Sequence, residues 1–438
     1  MIRFRITYML ILLSLLMSSK GSDLQVKDTS YHPVTVTIKE EAGRYKLYRD
    51  GQEYFIKGAG CEHGNIAALA KHGANSFRTW RTNNGRQTGL AVLDSALKYN
   101  LTVSMGLDIG RERHGFDYDN SKLVQKQFEE IKNQIIEFKD HPALLIWVVG
   151  NELNLRAKNP KVWDAVNEIA QMIHEIDPYH PVATTIAGAD REDIQHVKTR
   201  CPHIDVLGIQ LYGKVIHLPE YIAVAEWTGP YIVTEWGPTG HWESERTIWN
   251  RPIEQTSSQK RKSYVERYNI AIASDPDQCI GSYAFLWGYK QERTPTWYGM
   301  FLETGEETAS VDAMHFIWNG KWPDNLAPEL IVLTIDNKVA SENIILERKK
   351  KYRVHVEATD ENKQQLFYRW EIRSEVTELS DGGDFEKSTP NLKELFVVEN
   401  DEQAEFIAPH KPGEYRVFVY VIDEMNNAAT ANIPFKVI

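Results

Sequence analysis

From Tyr54 to about Lys321 the chain repeats one beat: a short run of apolar, often β-branched residues, then a longer stretch with apolar positions at helical spacing. The short runs fall at 54–59, 74–79, 101–108, 143–150, 181–187, 204–212, 230–235 and 278–287. Several are apolar almost throughout rather than alternating, which is the pattern of strands covered on both faces. Helical patterns lie between them at 64–72, 87–99, 121–138, 161–176 and 258–274. Asp177-Pro178 stops the fourth of these, because proline offers no N–H and clashes with the preceding turn. Strand–helix units repeated through about 270 residues predict an α/β architecture, a (β/α)8 TIM barrel at 54–322, with an open sheet of fewer units as the fallback.

The pattern changes at both ends. Trp322-Pro323 to Pro328 reads as a linker, and beyond it the period becomes two. In Tyr352-Arg-Val-His-Val-Glu-Ala the even positions are apolar, and in Tyr415-Arg-Val-Phe-Val-Tyr-Val the odd ones. Tyr368-Arg-Trp370-Glu-Ile places a tryptophan on what reads as a central strand, so 326–438 is predicted to be an all-β immunoglobulin-like sandwich. Phe418 and Tyr420 put aromatic rings on the other face of their strand, which reads as a surface docked on the barrel rather than a glycan-binding one. Before the barrel, Val34–Lys39 alternates, and Tyr45–Lys57 carries Asp50-Gly51, a strong hairpin signal. Residues 22–53 are thus a leader and hairpin. Arg3 and Arg5 followed by the apolar stretch Tyr8–Met17 read as a secretion signal over residues 1–21, too short to span a bilayer. The expectation is an exported protein, periplasmic or extracellular, without stable membrane insertion.

Composition narrows the partners. Lys+Arg 50 against Asp+Glu 61 gives a net charge of −11, which argues against nucleic acid, since phosphate contacts need a basic surface. Trp 12 and Tyr 20 supply large flat side chains, of which most are expected in the core and some free to stack on sugar rings. Cys61, Cys201 and Cys279 show neither a disulfide framework nor metal-ligand spacing, and read as small buried hydrophobes. No phosphate loop, zinc motif or nucleophile elbow is evident, so no cofactor and no metal are expected, and the chain reads as a monomer.

The chemistry is carried by two glutamates. Each closes an apolar run: His141-Pro-Ala-Leu-Leu-Ile-Trp-Val-Val-Gly-Asn151-Glu152 and Tyr231-Ile-Val-Thr-Glu235-Trp-Gly-Pro. A carboxylate at the end of a buried strand is costly without partners or a task. Two of them at the carboxyl ends of separate barrel strands suggest one site, and a facing pair is the minimum equipment for glycosidic cleavage. Burial and mutual repulsion raise the pKa of one member of such a pair, so that one carboxyl can donate a proton while the other attacks.

These motifs resemble the large clan of retaining (β/α)8 glycosidases. The resemblance extends to Gly73-Ala-Asn-Ser-Phe-Arg78-Thr-Trp80, Gln210-Leu-Tyr212 and Tyr283-Ala-Phe-Leu-Trp287. It implies Glu152 as acid/base, Glu235 as nucleophile, Asn151 on the sugar 2-hydroxyl, Arg78 and Tyr212 flanking the nucleophile, and Trp287 as subsite floor. Loop residues Trp80, Trp236, Trp242 and Trp297 are candidate stacking platforms; Asn83 is also a candidate there, and His114 a candidate contact in the polar loop after Asp108. Around HPALLIWVVGNE the barrel is most similar to that of glycoside hydrolase family 2. A short hairpin, one barrel and a trailing sandwich look more like family 158, whose members are exported endo-β-1,3-glucanases. That similarity implies endo cleavage of a laminarin-type polysaccharide. The alternatives are another retaining β-glycosidase (mannanase, galactosidase or glucuronidase) or a non-catalytic glycan-binding protein.

Overall fold

The computed structural model describes residues 31–380, 382–399 and 401–438, so the reading of residues 1–21 as a secretion signal lies outside them. Eight parallel strands close into a barrel: β1 (Ile56–Gly60), β2 (Ser76–Arg78), β3 (Thr102–Leu107), β4 (Leu144–Val149), β5 (Val182–Ala187), β6 (Val206–Gln210), β7 (Tyr231–Trp236) and β8 (Cys279–Ala284). The ring shuts where β8 pairs with β1 in the register Gly281↔Ile56 to Ala284↔Ala59. Helices cover it outside: α1 (Ile66–Lys71), α2 (Gly89–Lys98), α3 (Ser121–Phe138), α4 (Lys161–Ile176), α5 (Arg191–Arg200), α6 (Leu218–Val224), α7 (Ser257–Arg267) and α8 (Ala309–Asn319). Asp177 caps α4, where the Asp-Pro pair predicts a stop. The three cysteines are buried free thiols. Among the described residues no helix is long and apolar enough to cross a membrane.

The hairpin closes the amino-terminal end of the barrel. Its strands Val36–Glu41 and Arg44–Arg49 turn at Ala42-Gly43, and a second turn at Asp50-Gly51 leads to Gln52–Glu53. All four turn residues have positive φ, from 50° to 81°, as tight turns between twisted strands demand. Val36 and Leu47 enter the barrel end and pack with Ile56, Ile146, Ile232 and Ile280. Backbone bonds from Val36 to Tyr179 (2.8 Å) and from Tyr45 to Asp277 (2.7 Å) reach the loops that feed β5 and β8. Inside, the Tyr283 hydroxyl lies 2.8 Å from Ser76 Oγ and 2.5 Å from Ser104 Oγ, so this polar tip is satisfied within the ring.

Beyond α8, two sheets face one another. One holds β9 (Glu329–Ile335), β10 (Lys351–Thr359) and β12 (Gln403–Ile407); the other holds β11 (Phe367–Ser374), β13 (Gly413–Ile422) and β14 (Asn427–Val437). Leu333, Val354, Val356 and Phe406 of the first pack against Trp370, Val417, Val419 and Phe435 of the second. Trp370 is buried as predicted, but its strand lies at the edge of the sheet, not at its centre, because β13 takes the position between β11 and β14.

The outer face of β13 docks on the barrel. Phe418 and Tyr420 cluster with Leu302 and Ala428, and the short strand Glu307–Thr308 before α8 pairs with Asn427 and Ala428 of β14. Arg416 on the same face is buried and donates to Glu375 (2.9 Å), Asn432 (2.6 Å) and the Pro252 carbonyl (2.9 Å). Asn432 in turn donates to Glu254 (2.6 Å), which also accepts from Lys260 (2.6 Å) and Thr294 (2.6 Å). Glu254 and Lys260 are a pair fully removed from water, so their partners matter more than their number. Substituting Lys260→Met is expected to strand the Glu254 charge and cost about 3–5 kcal/mol. Calorimetry should show a clear fall in Tm, and Glu254→Gln in the same chain should recover part of it.

Candidate active site

The carboxyl ends of the strands open into a cavity of about 1230 Å³. Arg78, at the end of β2, is completely buried beneath it. Its guanidinium donates to Glu235 Oε1 (2.8 Å), to the Thr234 carbonyl (3.3 Å) and to Asn151 Oδ1. Glu235 lies on β7, with its side chain turned into the ring. It also accepts from Trp80 Nε1 at Oε1 (2.7 Å) and from the Tyr212 hydroxyl at Oε2 (3.1 Å). Three side-chain donors thus converge on two oxygens, an arrangement matched to an acceptor-only carboxylate.

Glu152 sits just past β4, where the chain turns through two left-handed residues. Gly150 has φ +76°, and a Cβ there would come within 2.5 Å of Leu153. Glu152 itself has φ +49°, a conformation that costs a non-glycine residue of order 1–2 kcal/mol. Strain of this kind concentrates where a side chain must be aimed. Burial, then the negative charge of Glu235, push the Glu152 carboxyl up to about 8, against the smaller opposing influence of Arg113 and Arg78. Between them, Asn151 Oδ1 accepts from both Arg78 and Gln210 Nε2 (2.8 Å), which leaves its Nδ2 as the donor for a bound hydroxyl. The pair therefore differs by environment: one carboxyl clamped by donors, the other held protonated near neutral pH. That is the division needed for a nucleophile and a general acid.

Several predicted site residues lie elsewhere. Trp287 borders the cavity, but its ring is fully buried, donates to the Asn65 carbonyl (2.8 Å) and packs against Phe301 and Trp318, so it offers no open face as a floor. The ring in that place is Phe285, edge-on to Trp80 and Tyr212, both at 5.8 Å. The strand ends at Ala284, so the alternation that aims Tyr283 inward does not extend to Trp287. Trp236 follows an inward glutamate and must point outward; it packs against Tyr264 and Tyr268 behind the barrel wall. Trp297 is buried beside Tyr298, its Nε1 bonded to the Thr239 carbonyl (2.9 Å). His114 does not line the cavity itself but pairs with Asp384 of the sandwich, which does (2.9 Å). Asn83 caps the turn at Gly85. Trp80 and Trp242 do line the cleft, Trp80 as a hydrogen-bond donor and Trp242 as a half-exposed ring edge-on to Tyr212 (5.3 Å).

The structure adds members that sequence patterns did not single out. Tyr298 bonds His241 Nδ1 (2.8 Å) and backs Phe285 and Tyr212. Glu292 is a third buried carboxyl on the wall, raised by burial against the pull of Lys290 and Arg293. Both lie in the long segment after β8, where no periodic signal exists to expose them. Among the described residues no group of His, Cys, Asp and Glu side chains is placed to hold a metal ion.

Residues 63–280 match the model of the glycosyl hydrolases family 2 TIM barrel domain. This family 2 match spans the strands bearing Arg78, Asn151, Glu152, Tyr212 and Glu235. Solved structures similar to the chain include Bacteroides uniformis β-glucuronidase 2, at 12% identity and TM-score 0.52, over 92% of this chain and 48% of that one. Bifidobacterium dentium β-glucuronidase aligns at 18% identity and TM-score 0.51, over 66% and 50% of the two chains. A family 2 β-galacturonidase from Eisenbergiella tayi aligns at 17% identity and TM-score 0.50, over 66% and 55%. At these identities the likeness concerns the fold, and the chain spans about half the length of the structures it matches.

Two pH effects follow from Glu152. Activity that depends on its proton should fall along a basic limb near pH 8. A carboxyl raised in the folded state favours folding most below its unfolded value, about 4.3, and progressively less up to its folded one. Replacing Glu152 by glutamine should therefore raise Tm by a few degrees at pH 8, with the difference from wild type closing toward pH 4.

Proposed function

We propose that this protein is a retaining β-glycoside hydrolase working by double displacement. The observation that carries the reading is the contrast between Glu235, clamped by Arg78, Trp80 and Tyr212, and Glu152, held protonated near neutral pH beside it. Glu235 attacks the anomeric carbon while Glu152 gives its proton to the departing oxygen. The product of this step is a glycosyl ester on Glu235 and an ionised Glu152. A water then attacks the same carbon, Glu152 takes its proton, and Glu235 leaves as carboxylate. Asn151 Nδ2 holds the neighbouring hydroxyl, and Phe285 supplies an apolar floor. The match to the family 2 barrel supports a glycosidase of this broad class.

The sugar is argued from charge. Ten aspartate or glutamate side chains, the protonated Glu152 among them, and six arginine or lysine side chains line the cleft, a balance that disfavours an anionic uronide and favours a neutral sugar. β-1,3-Glucan stays one such substrate, supported by the order of barrel and sandwich. Of the four loop tryptophans expected as stacking platforms, Trp236 and Trp297 are buried, which leaves Trp80 and Trp242 along the cleft. A uronide is the competing reading, supported by the β-glucuronidase and β-galacturonidase names of the similar structures.

A panel of laminarin, mixed-linkage glucan, mannan, galactan and aryl glucuronides separates these readings, with hydrolysis of a neutral glycan expected. Cleavage of the glucuronides alone would overturn the charge argument. Proton NMR should show the β-anomer released first from a β-linked substrate; the α-anomer first would refute retention. Glu235→Ala should abolish turnover and, with azide, form a glycosyl azide of inverted configuration. Glu152→Ala should keep measurable cleavage of a glycoside with an activated leaving group, its slow second step rescued by azide. The reverse pattern would exchange the two roles.

A further inference from the structure

The cleft is not built from the barrel alone. Gly382, Gly383, Asp384, Phe385 and Glu386, on a loop of the sandwich, line the same cavity as Glu152 and Glu235. The barrel grips this loop on two sides. On one side Arg113, whose side chain is largely removed from solvent, donates to the Gly382 carbonyl (3.3 Å), and His114 meets Asp384 (2.9 Å). A Cβ on Gly382 would fall 1.9 Å from Arg113 Nη1, and its φ of +58° is the left-handed region, so glycine allows this flat approach. On the other side Lys290 donates to the Gly383 carbonyl (2.8 Å), while Arg293 binds Glu386 through its backbone N–H (2.6 Å) and its guanidinium (2.5 Å). Glu386 is almost fully buried and also accepts from the Ser380 N–H (3.1 Å).

Between these anchors one side chain has no packing role. Phe385 is 90% exposed although it borders the cavity. A lone exposed aromatic is ordinary on a free surface. One held out at the edge of a cleft by a loop pinned on both flanks needs another account. Its position relative to the reacting bond follows from the neighbours. Leu155 donates to the Glu152 carbonyl from the turn that carries the acid (3.1 Å), and it is also among the atoms crowding Gly382. Arg113, which touches the loop, is close enough to bear on the Glu152 carboxyl. The loop thus stands on the acid side of the site, where the oxygen that receives the proton departs.

We propose that this sandwich loop forms the leaving-group wall of the cleft, with Phe385 as a stacking platform for a sugar unit beyond the scissile bond. The inference rests on the glycosidase reading above and extends it, since it makes the second domain part of the substrate site. A pyranose ring has an apolar C–H face, and an aromatic ring that binds it removes both from water without ordering a long side chain.

The test compares two substrates of the neutral sugar that the panel identifies: its hexasaccharide, which reaches past the scissile bond, and its glycosyl fluoride, whose departing fluoride carries nothing beyond that bond. For Phe385→Ala the ratio of kcat/KM on the hexasaccharide to that on the glycosyl fluoride should fall about tenfold, the scale of one anchoring aromatic. Phe385→Trp should restore the ratio. Phe367→Ala, which removes a half-exposed ring from β11, should leave it at the wild-type value. Equal falls on both substrates, or an unchanged ratio, would overturn the subsite while leaving the two-glutamate mechanism intact. A wild-type protein inert on every glycan of the panel would overturn both.

Discussion

The buried guanidinium of Arg78 is the constraint from which the site takes its form. It reaches from β2 to Glu235 on β7 and to Asn151 just past β4, so one cation joins three strands across the mouth of the ring. A guanidinium cannot shed its proton, and taking it out of water is costly unless its donors are used. Glu235, the Thr234 carbonyl and Asn151 take up its two terminal nitrogens, and the orientations of Glu235 and Asn151 are thereby set. Tyr212, Trp80 and Gln210 then complete the acceptors that Arg78 leaves available. Glu152 lies outside this mesh. Burial, and then the nearby charge of Glu235, raise its carboxyl to about 8, and the chemical asymmetry of the pair follows.

The rigid frame behind that network extends past the barrel. The hairpin seals the far end of the ring, so apolar side chains fill it and the polar work is confined to the other mouth. The sandwich is fastened along the Arg416, Glu254 and Lys260 cluster, and again through Arg293 and Glu386. Charged groups buried at such a junction favour one docking geometry, because a shifted domain would leave them unpaired. A loop from the second domain can then lie within the cleft without loosening it.

Much of this was legible along the chain, because it depends on neighbours in sequence. Strands buried on both faces need continuous apolar runs, so all eight barrel strands were readable, and each observed strand begins within two residues of its run. Glu152 and Glu235 stood out as charges ending such runs. Trp236 was legible too: alternation after an inward Glu235 sends it outward, a stronger signal than its place beside a loop. Trp287 was harder, since the strand stops at Ala284 and the chain beyond it follows no period that would choose Phe285 instead.

What the amino-acid order determined by itself is the barrel, the turn at Asp50-Gly51, the two-period sandwich and the positions of the two glutamates. Each rests on local periodicity, on turn residues or on the cost of a charge in an apolar run. What only the tertiary structure decided is which groups surround those glutamates. Arg113 and Gly382 are far apart in the chain, as are Lys290 and Gly383, and no spacing rule relates them. Their meeting depends on how the sandwich is seated, and the seat is set by complementary charges and rings on two surfaces that form only after each domain has folded.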